Sequence, residues 1–547
     1  MAIMAAVTNS DHVPDVVDVL VVGAGPSGAV VSHTAASAGL SVVCLEQGDW
    51  VNPNEFPANH PEWELLIQHN WAHDPNERML PADYPVDVSE SDMWPVMFNA
   101  VGGSSIFYGA EWPRLVPSDF RVKSLDGVAD DWPISYDELK PYHDEVDAFI
   151  GVSGVDGDTA YPEGLTYPLP PNPLGKAGIK GAEAANSLGW HWWPGTNAIP
   201  SQKFKTLEQC ARWGTCEWGC PQGAKASFDL IYMPQAMQHG ATVITGARVS
   251  RVITDDDGRR ATGVEYIDRD GVKHFQSARV VVLCANGVGT PRLLLMSAND
   301  QHPNGLANSS DLVGRNLMLH PNCSALGFYD DDLESWRGPA GQLIHSLQFY
   351  ETDPSRGFVR GAKMHMLPTP GPLNAIEAHR QLDFDEVWGA PIHEIARQAQ
   401  RGILWAANTE DLPELHNRVT LSSDLVDSYG LPAPKVEYRI SDNTWALLKF
   451  TVDRMVELHK AAGATKILTQ EIWVDQPGHL LGTARMGDDP ARSVVDSYGK
   501  THDVDNLYIA DGSIFVTSGS ANPTCTISAL ALRVGKKIVE RAQETCS

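Results

Sequence analysis

Asp18-Val-Leu-Val-Val22 runs directly into Gly23-Ala-Gly25-Pro26-Ser27-Gly28, and this junction constrains the fold more than any other stretch of the chain. A short apolar run bounded by polar residues is the pattern of a buried parallel strand. The residues after the turn, AVVSHTAASAGL, are small and apolar enough to form a closely packed helix. A second apolar run, Ser41 to Leu45, ends at Glu46. The order is strand, glycine turn, helix, strand, acid. Gly23 permits the tight turn, Gly25 lets the backbone approach a pyrophosphate, and Gly28 lets helix and strand pack closely. Glu46 stands where an acid can accept hydrogen bonds from an adenosine ribose. A dinucleotide site follows from this unit, but the unit alone does not separate NAD from FAD.

A chain of 547 residues exceeds a single ordinary domain, so two domains or one large composite domain are expected. With 43% hydrophobic and 20% charged residues it is a folded globular protein, which excludes disorder, collagen and coiled coil. Lys plus Arg is 41 against 69 for Asp plus Glu, a net charge of −28. That acidity repels nucleic acid and anionic membranes, so neither is expected as a partner. No apolar run approaches the roughly 18 residues of a membrane-spanning helix. The start, MAIMAAVTNSDHVPD, lacks the basic residues and long apolar segment of a secretory signal, and a cytoplasmic location is expected. Eight cysteines are too sparse for a disulfide scaffold. The number of copies in the assembly is not set by the sequence.

Further motifs lie along the chain. Val101-Gly102-Gly103-Ser104-Ser105 is a glycine-serine loop with neither helical nor strand period. Leu283-Cys-Ala285-Asn-Gly-Val-Gly-Thr-Pro-Arg-Leu-Leu-Leu-Met-Ser297 is the end of a buried strand, a glycine turn and a helix. GRNLMLHP occupies 314–321, HLLGTARMG 479–487, YIADGS 508–513 and SANPTCTI 520–527, the last opening a helix expected from Thr526 to about Arg541. In this order, and over nearly the whole chain, these segments resemble the glucose–methanol–choline (GMC) flavoprotein oxidoreductases. The sugar-acting branch, with pyranose oxidases, bacterial C-glycoside 3-oxidases and gluconate and glucoside dehydrogenases, is the nearest resemblance.

The resemblance implies an α/β composite: a Rossmann-like FAD-binding domain and a substrate domain built on an antiparallel sheet. FAD would place its pyrophosphate on Gly23, Gly25, Pro26, Ser27 and Gly28 and its ribose on Glu46, with Val249 and Ala285 flanking the adenosine half. Gly102, Gly103, Ser104 and Ser105 would pass along the isoalloxazine. Asp511, Gly512, Asn522, Pro523 and Thr524 would hold the ribityl chain and the far edge of the ring, with a helix N-terminus aimed there. His479 would take the proton of the substrate hydroxyl while hydride moves to the flavin N5. An imidazole suits this task because it titrates near working pH and accepts a proton when neutral. The partner position, His or Asn in the family, is Asn522, which cannot be a base and would orient the hydroxyl. His320, His345 and His365 are read as ordinary core or surface histidines.

Two departures from the family pattern narrow the reading. Members that attach FAD covalently use a histidine in the loop after Gly-Gly, and here that loop is Ser104-Ser105-Ile-Phe107-Tyr108, so non-covalent FAD is expected. Tyr108 stands where many members carry Asn, and an aromatic wall there either stacks on a sugar ring or tightens the pocket.

Cys210, Cys216 and Cys220-Pro have spacing that suits either an iron–sulfur cluster or a cysteine-tightened loop, with the loop expected. No other metal site is expected. The function implied is oxidation of a secondary ring hydroxyl, C3 or C2, of a sugar or glycoside to a ketone, with oxygen as the expected acceptor. The alternative is the flavoprotein subunit of a multi-component sugar or gluconate dehydrogenase that passes electrons through a cysteine-bound cluster to a redox partner.

The same resemblance divides the chain into a discontinuous FAD domain (1–112, 206–325 and 476–547) and a substrate domain (113–205 and 326–475). Alternation in Pro434–Ile440 predicts a half-solvated strand of the substrate sheet. Trp445–Ala462 predicts an amphipathic helix ended by Gly463. Gly338–Gly341 and Pro368–Pro372 are turn-rich and read as lid or surface loops.

Overall fold

The computed structural model describes residues 14–67, 69–369, 371–382 and 388–546. The N-terminal signal reading therefore rests on residues outside the described ones, as does Pro370 of the second turn-rich loop. The first sheet has seven strands. At its centre Val16–Val22 runs parallel to Val42–Glu46 on one side and to Lys273–Leu283 on the other. Thr242–Thr245 extends the sheet beyond Val42–Glu46, and Leu507–Ile509 pairs in parallel with the end of Lys273–Leu283. Ala261–Ile267 and Arg248–Thr254 add an antiparallel flank.

Alternation along Val16–Val22 decides what covers each face. Val19 and Val21 join Val30, Val31 and Ala531 in one core cluster, beneath the helices Pro26–Ser37 and Thr524–Cys546. Leu20 and Val22 join Leu283, Phe515 and Trp132 in another. These strand residues are almost completely buried, and each Val or Leu withdrawn from water contributes about 1.5–3 kcal/mol. A strand buried on both faces must be continuously apolar, which is why the first motif is so legible.

The second sheet is antiparallel with six strands, in the order Lys466–Gln470, Asn322–Phe328, Gly402–Thr409, Ala362–Leu367, Ile344–Ser346 and Trp193–Pro194. The helices Asp442–Ala461 and Gly175–Leu188 pack against it. Met364, Met366, Trp405 and Ala407 belong to the apolar cluster that includes Leu447, Leu448 and Met455 of the longer helix. Because side chains alternate, Lys363, His365 and Asn408 project from the opposite face. The sheet thus has one apolar face and one polar, site-bearing face.

The expected α/β composite, with a parallel-centred sheet and an antiparallel sheet, is therefore what the chain forms. Two sequence expectations differ from it. Asn322–Phe328 belongs wholly to the antiparallel sheet, so the boundary placed at 325 falls inside a strand. The strand expected at Pro434–Ile440 forms as Pro432–Tyr438, but in a separate three-stranded sheet with Arg418–Val426 and Asp87–Ser91. Alternation reveals that one face is buried; it carries no information about which neighbour supplies the hydrogen bonds. The helix expected over 445–462 is Asp442–Ala461, N-capped by the Ser441 hydroxyl, and the final helix begins at Thr524.

Candidate active site

One cavity of about 340 Å³ runs from the glycine turn of the first sheet to the polar face of the second. At one end its wall is formed by Gly23, Gly25, Pro26, Ser27 and Glu46, together with Val249 and Ala285. Gly103, Ser104, Ser105 and Tyr108 line its middle, and Asp511, Gly512, Pro523, Thr524, His479 and Asn522 complete it. Residues spread over 500 positions of sequence thus meet around one space. Of the residues expected to bind the cofactor, only Gly28 and Gly102 stand outside this wall, and both have packing reasons to be glycine. A Cβ on Gly28 would meet the Gly23 carbonyl oxygen at 1.9 Å; one on Gly102, at φ +97°, would crowd Asp229 and Ile106 at 3.0 Å.

The shape of this wall fits a dinucleotide. Gly23 has φ +99°, and a Cβ there would lie 2.5 Å from the Cys284 carbonyl oxygen. Gly103 crosses so close to the first glycine turn that its Cβ would lie 2.8 Å from the Gly25 Cα. Two glycine loops touching backbone to backbone leave a cradle that any side chain would fill. Glu46 ends its strand with both carboxylate oxygens engaged: Oε2 accepts from the Ala24 amide and Oε1 from the Gly48 amide, each at 2.8 Å. Burial pushes this carboxyl up to about 7 despite those bonds. Asp511 is held by the Ser513 hydroxyl and amide and by the Thr290 hydroxyl. Behind Gly512 there is no room for a side chain, since a Cβ would meet the Leu480 carbonyl oxygen at 2.8 Å. The 23-residue helix Thr524–Cys546 starts at the cavity wall and turns its partial positive end there.

Loop residues beside the polar face of the second sheet, and side chains from that face, supply the rest. His479 and His320 share a hydrogen bond between their Nδ1 atoms at 2.9 Å, with ring planes at 88°. The Nε2 of His320 approaches the Ser518 carbonyl oxygen at 3.3 Å, and a carbonyl can only accept. His320 therefore carries its proton on Nε2 and accepts at Nδ1, and His479 donates its Nδ1–H. The Nε2 of His479 is left with an open lone pair. Burial first, then the neighbouring His320 and Lys363, hold His479 well below the ordinary imidazole value, so it is neutral. Burial likewise brings His320 down to about 4.

Asn522 is fixed on its oxygen side. Its Oδ1 accepts from Lys363 Nζ at 2.7 Å and from Asn408 Nδ2 at 3.0 Å. Lys363 is buried and paired with Glu111, and His365 lies beside both, its Nδ1 3.4 Å from the lysine and its Nε2 3.4 Å from the glutamate. Burial pushes Glu111 up and Lys363 down, each opposed by the charge of the other.

Tyr108 lines the cavity, but its hydroxyl donates to the Ala226 carbonyl at 2.8 Å, so it presents its ring and not its hydroxyl. His345 is bonded to Asp158 at 3.2 Å and does not line the cavity. His320 and His365 are buried and, like His345, do not line the cavity, but they support it from behind: one is bonded to His479 and the other sits in the Lys363–Glu111 group. The short apolar run of LMLHP and the alternation of Ala362–Leu367 are too common to have marked them. His73 and Glu217 are further wall residues that no motif announces; His73 Nε2 is engaged by the Glu217 carbonyl oxygen at 2.9 Å. Among the described residues, no group of three or more His, Cys, Asp or Glu side chains is arranged to hold a metal. Cys210, Cys216 and Cys220 are free thiols, and burial raises the first two.

Comparison with known proteins follows the same geography. Models of the GMC oxidoreductase family match residues 17–322 and 413–531. The chain is 42% identical to 2-methyl-1,2-propanediol dehydrogenase of Mycolicibacterium austroafricanum over 96% of each chain. It is 31% identical to the fructose dehydrogenase large subunit of Gluconobacter japonicus, covering 95% of this chain and 97% of that one. Among solved structures, a formate oxidase variant of Aspergillus oryzae RIB40, whose study concerns FAD modification, superposes with a TM-score of 0.65 at 16% identity. That likeness covers 96% of this chain and 99% of the other and is one of fold.

Proposed function

The chain belongs to the GMC oxidoreductase family, whose members act on CH–OH groups, and we propose that it oxidises one carbinol of a polyhydroxy alcohol with His479 as base and FAD as oxidant. The single observation that carries this reading is that one cavity wall holds both an imidazole with an open lone pair and an amide whose oxygen is already used. A substrate hydroxyl there gives its proton to His479 Nε2 and accepts from Asn522 Nδ2–H. FAD bound in the cavity would supply the two-electron oxidant for the hydride that leaves the carbinol carbon. Removing the hydroxyl proton leaves charge on oxygen that the Asn522 donor meets directly. A neutral, desolvated imidazole needs no prior deprotonation to act.

The glycine cradle, Glu46 and Asp511 would hold the cofactor, and the first sheet with its helices is the FAD-binding body. The antiparallel sheet would be the substrate-binding one. The cofactor is read as non-covalent, since the loop 104–108 offers no histidine and His73 Nε2 is already bonded. The substrate is read as a sugar or glycoside oxidised at a secondary ring hydroxyl, C3 or C2, supported by the sugar-directed name of one relative and by Tyr108 as an aromatic residue of the wall. A second reading has its own support. The relative at 42% identity is named for a small 1,2-diol whose only oxidisable carbinol is primary. Both readings share a vicinal diol. Oxygen is kept as the proposed acceptor, since relatives named oxidases, at 31% and 30% identity, stand beside those named dehydrogenases.

The test is anaerobic titration of the flavin-loaded protein with 1,2-diols, monosaccharides and glycosides, followed by admission of air. Bleaching by ring sugars alone supports the first reading, and bleaching by small diols supports the second. Reoxidation in air identifies an oxidase; a bleached flavin that persists identifies a dehydrogenase.

A further inference from the structure

We propose that Lys363 is a positioning residue that dictates which end of the Asn522 amide faces the substrate. The inference rests on reading His479 and Asn522 as the reacting pair. It begins with a register: in the antiparallel sheet Lys363 stands directly opposite Asn408, on the same face. Both side chains reach one atom, Asn522 Oδ1, at 2.7 and 3.0 Å.

A lysine has donors and no acceptor, so the amide atom it meets must be oxygen. With the Asn408 donor added, both lone pairs of Oδ1 are used. The Asn522 amide then has one arrangement, with Nδ2 as its unengaged end, and Asn522 lines the cavity. The flipped amide would offer an acceptor to the substrate hydroxyl and compete with His479 for its single proton. Held as it is, the amide can only donate, which leaves that proton to His479 Nε2. The hydroxyl is thus used in one sense only, proton toward the imidazole and lone pair toward the amide.

Glu111 explains how a lysine can be buried there. It contacts Lys363 Nζ from a segment outside the sheet, so the charge is compensated and the ammonium is held in place. The ammonium also lies behind the amide, where its charge polarises the N–H bonds facing the substrate.

The test uses the full-length, FAD-loaded protein, rapidly mixed without oxygen with the best alcohol from the substrate panel. Asn522→Ala, Lys363→Met and the combination are compared for the rate of flavin reduction, with flavin content as the check that the fold stands. Lys363→Met/Glu111→Gln is added because it leaves no unpaired buried carboxylate. Each single substitution is expected to slow reduction roughly tenfold or more, as loss of an oriented donor does. The Asn522→Ala/Lys363→Met combination should be no slower than Asn522→Ala alone, since Lys363 acts through Asn522.

A pH profile provides a readout that packing would not move. The charged and titratable groups around His479 are His320, Lys363 and, beside the lysine, His365 and Glu111. Removing the lysine removes a positive charge, so the acid limb of the rate should move to higher pH in Lys363→Met. Full additivity of the two substitutions, an unmoved acid limb, or loss of flavin from both lysine variants would overturn the proposal. An Asn522→Ala variant that reduces flavin at the parent rate would instead overturn the underlying site reading, and the proposal with it.

Discussion

His479 donates its Nδ1–H to Nδ1 of His320 at 2.9 Å, and this bond decides which nitrogen of His479 is free to accept a proton. His320 is itself committed by the Ser518 carbonyl. Two buried imidazoles in fixed tautomers make a base whose direction is set before substrate arrives. Lys363 and Asn408 of the antiparallel sheet make the Asn522 amide equally one-sided.

His320→Ala should therefore slow flavin reduction without removing the base. With no acceptor for its Nδ1–H, His479 samples both tautomers and turns in its pocket. A loss of about ten- to a hundredfold is expected, part of the roughly 10²–10⁴ that a positioned base supplies. Anaerobic stopped-flow reduction checks it; an unchanged rate would mean that the tautomer is set elsewhere.

His479→Ala should lower the reduction rate by roughly two to four orders of magnitude while FAD stays bound. The same residue sets the pH dependence of the parent. Its imidazole must be neutral to accept a proton, and burial holds it well below the usual value near 6.5. The rate of flavin reduction should then be flat through neutral pH, and its acid limb should lie below pH 6.5, about where a free imidazole titrates. A limb centred at or above that value would contradict the neutral, desolvated base.

Gly103→Ala should yield protein that does not retain flavin. The added Cβ would lie 2.8 Å from the Gly25 Cα, and Gly103 sits at φ +55°, a conformation that disfavours any side chain. Flavin absorbance relative to protein absorbance after purification measures the outcome.

Glu46 makes stability depend on pH in the protein freed of FAD. Its folded value is raised from 4.5 to about 7 by burial, so the fold binds this proton more tightly than the unfolded chain does. The sign follows: below about pH 4.5 both states are protonated and nothing is lost, and stability falls as pH rises from there through about 7. The full effect is on the order of 3 kcal/mol. In Glu46→Gln that decline should vanish, so chemical denaturation at pH 5 and pH 8 should show a smaller difference than in the parent. Equal differences would place the ionisation elsewhere.

Acid precipitation should release FAD into the supernatant and leave a colourless pellet. A yellow pellet would mean a covalent bond, and His73 in the cavity wall would be the first residue to replace.

The sequence made legible whatever is local. Gly23 to Gly28, Glu46, the GGSS loop, His479 and Asn522 each sit inside a motif with its own physical logic, and all but two of the expected site residues line one cavity. The support behind them was not legible. Lys363 and Asn408 lie 45 positions apart and meet only through strand register. Glu111 and His320 come from other segments again. An alternating strand such as Ala362–Leu367 shows that one face is polar, yet it does not show that this face looks into an active site. Pro432–Tyr438 illustrates the same limit for the fold, since its alternation was visible and its sheet was not.

The most direct test of the central claim is the anaerobic flavin spectrum of the parent and of His479→Ala, each mixed with 1,2-diols, monosaccharides and glycosides. The account predicts that at least one of these alcohols bleaches the parent rapidly and the variant orders of magnitude more slowly, with equal flavin content in both. Bleaching of the two proteins at the same rate would contradict the role given to His479, and no bleaching of the parent by any alcohol would contradict the substrate class.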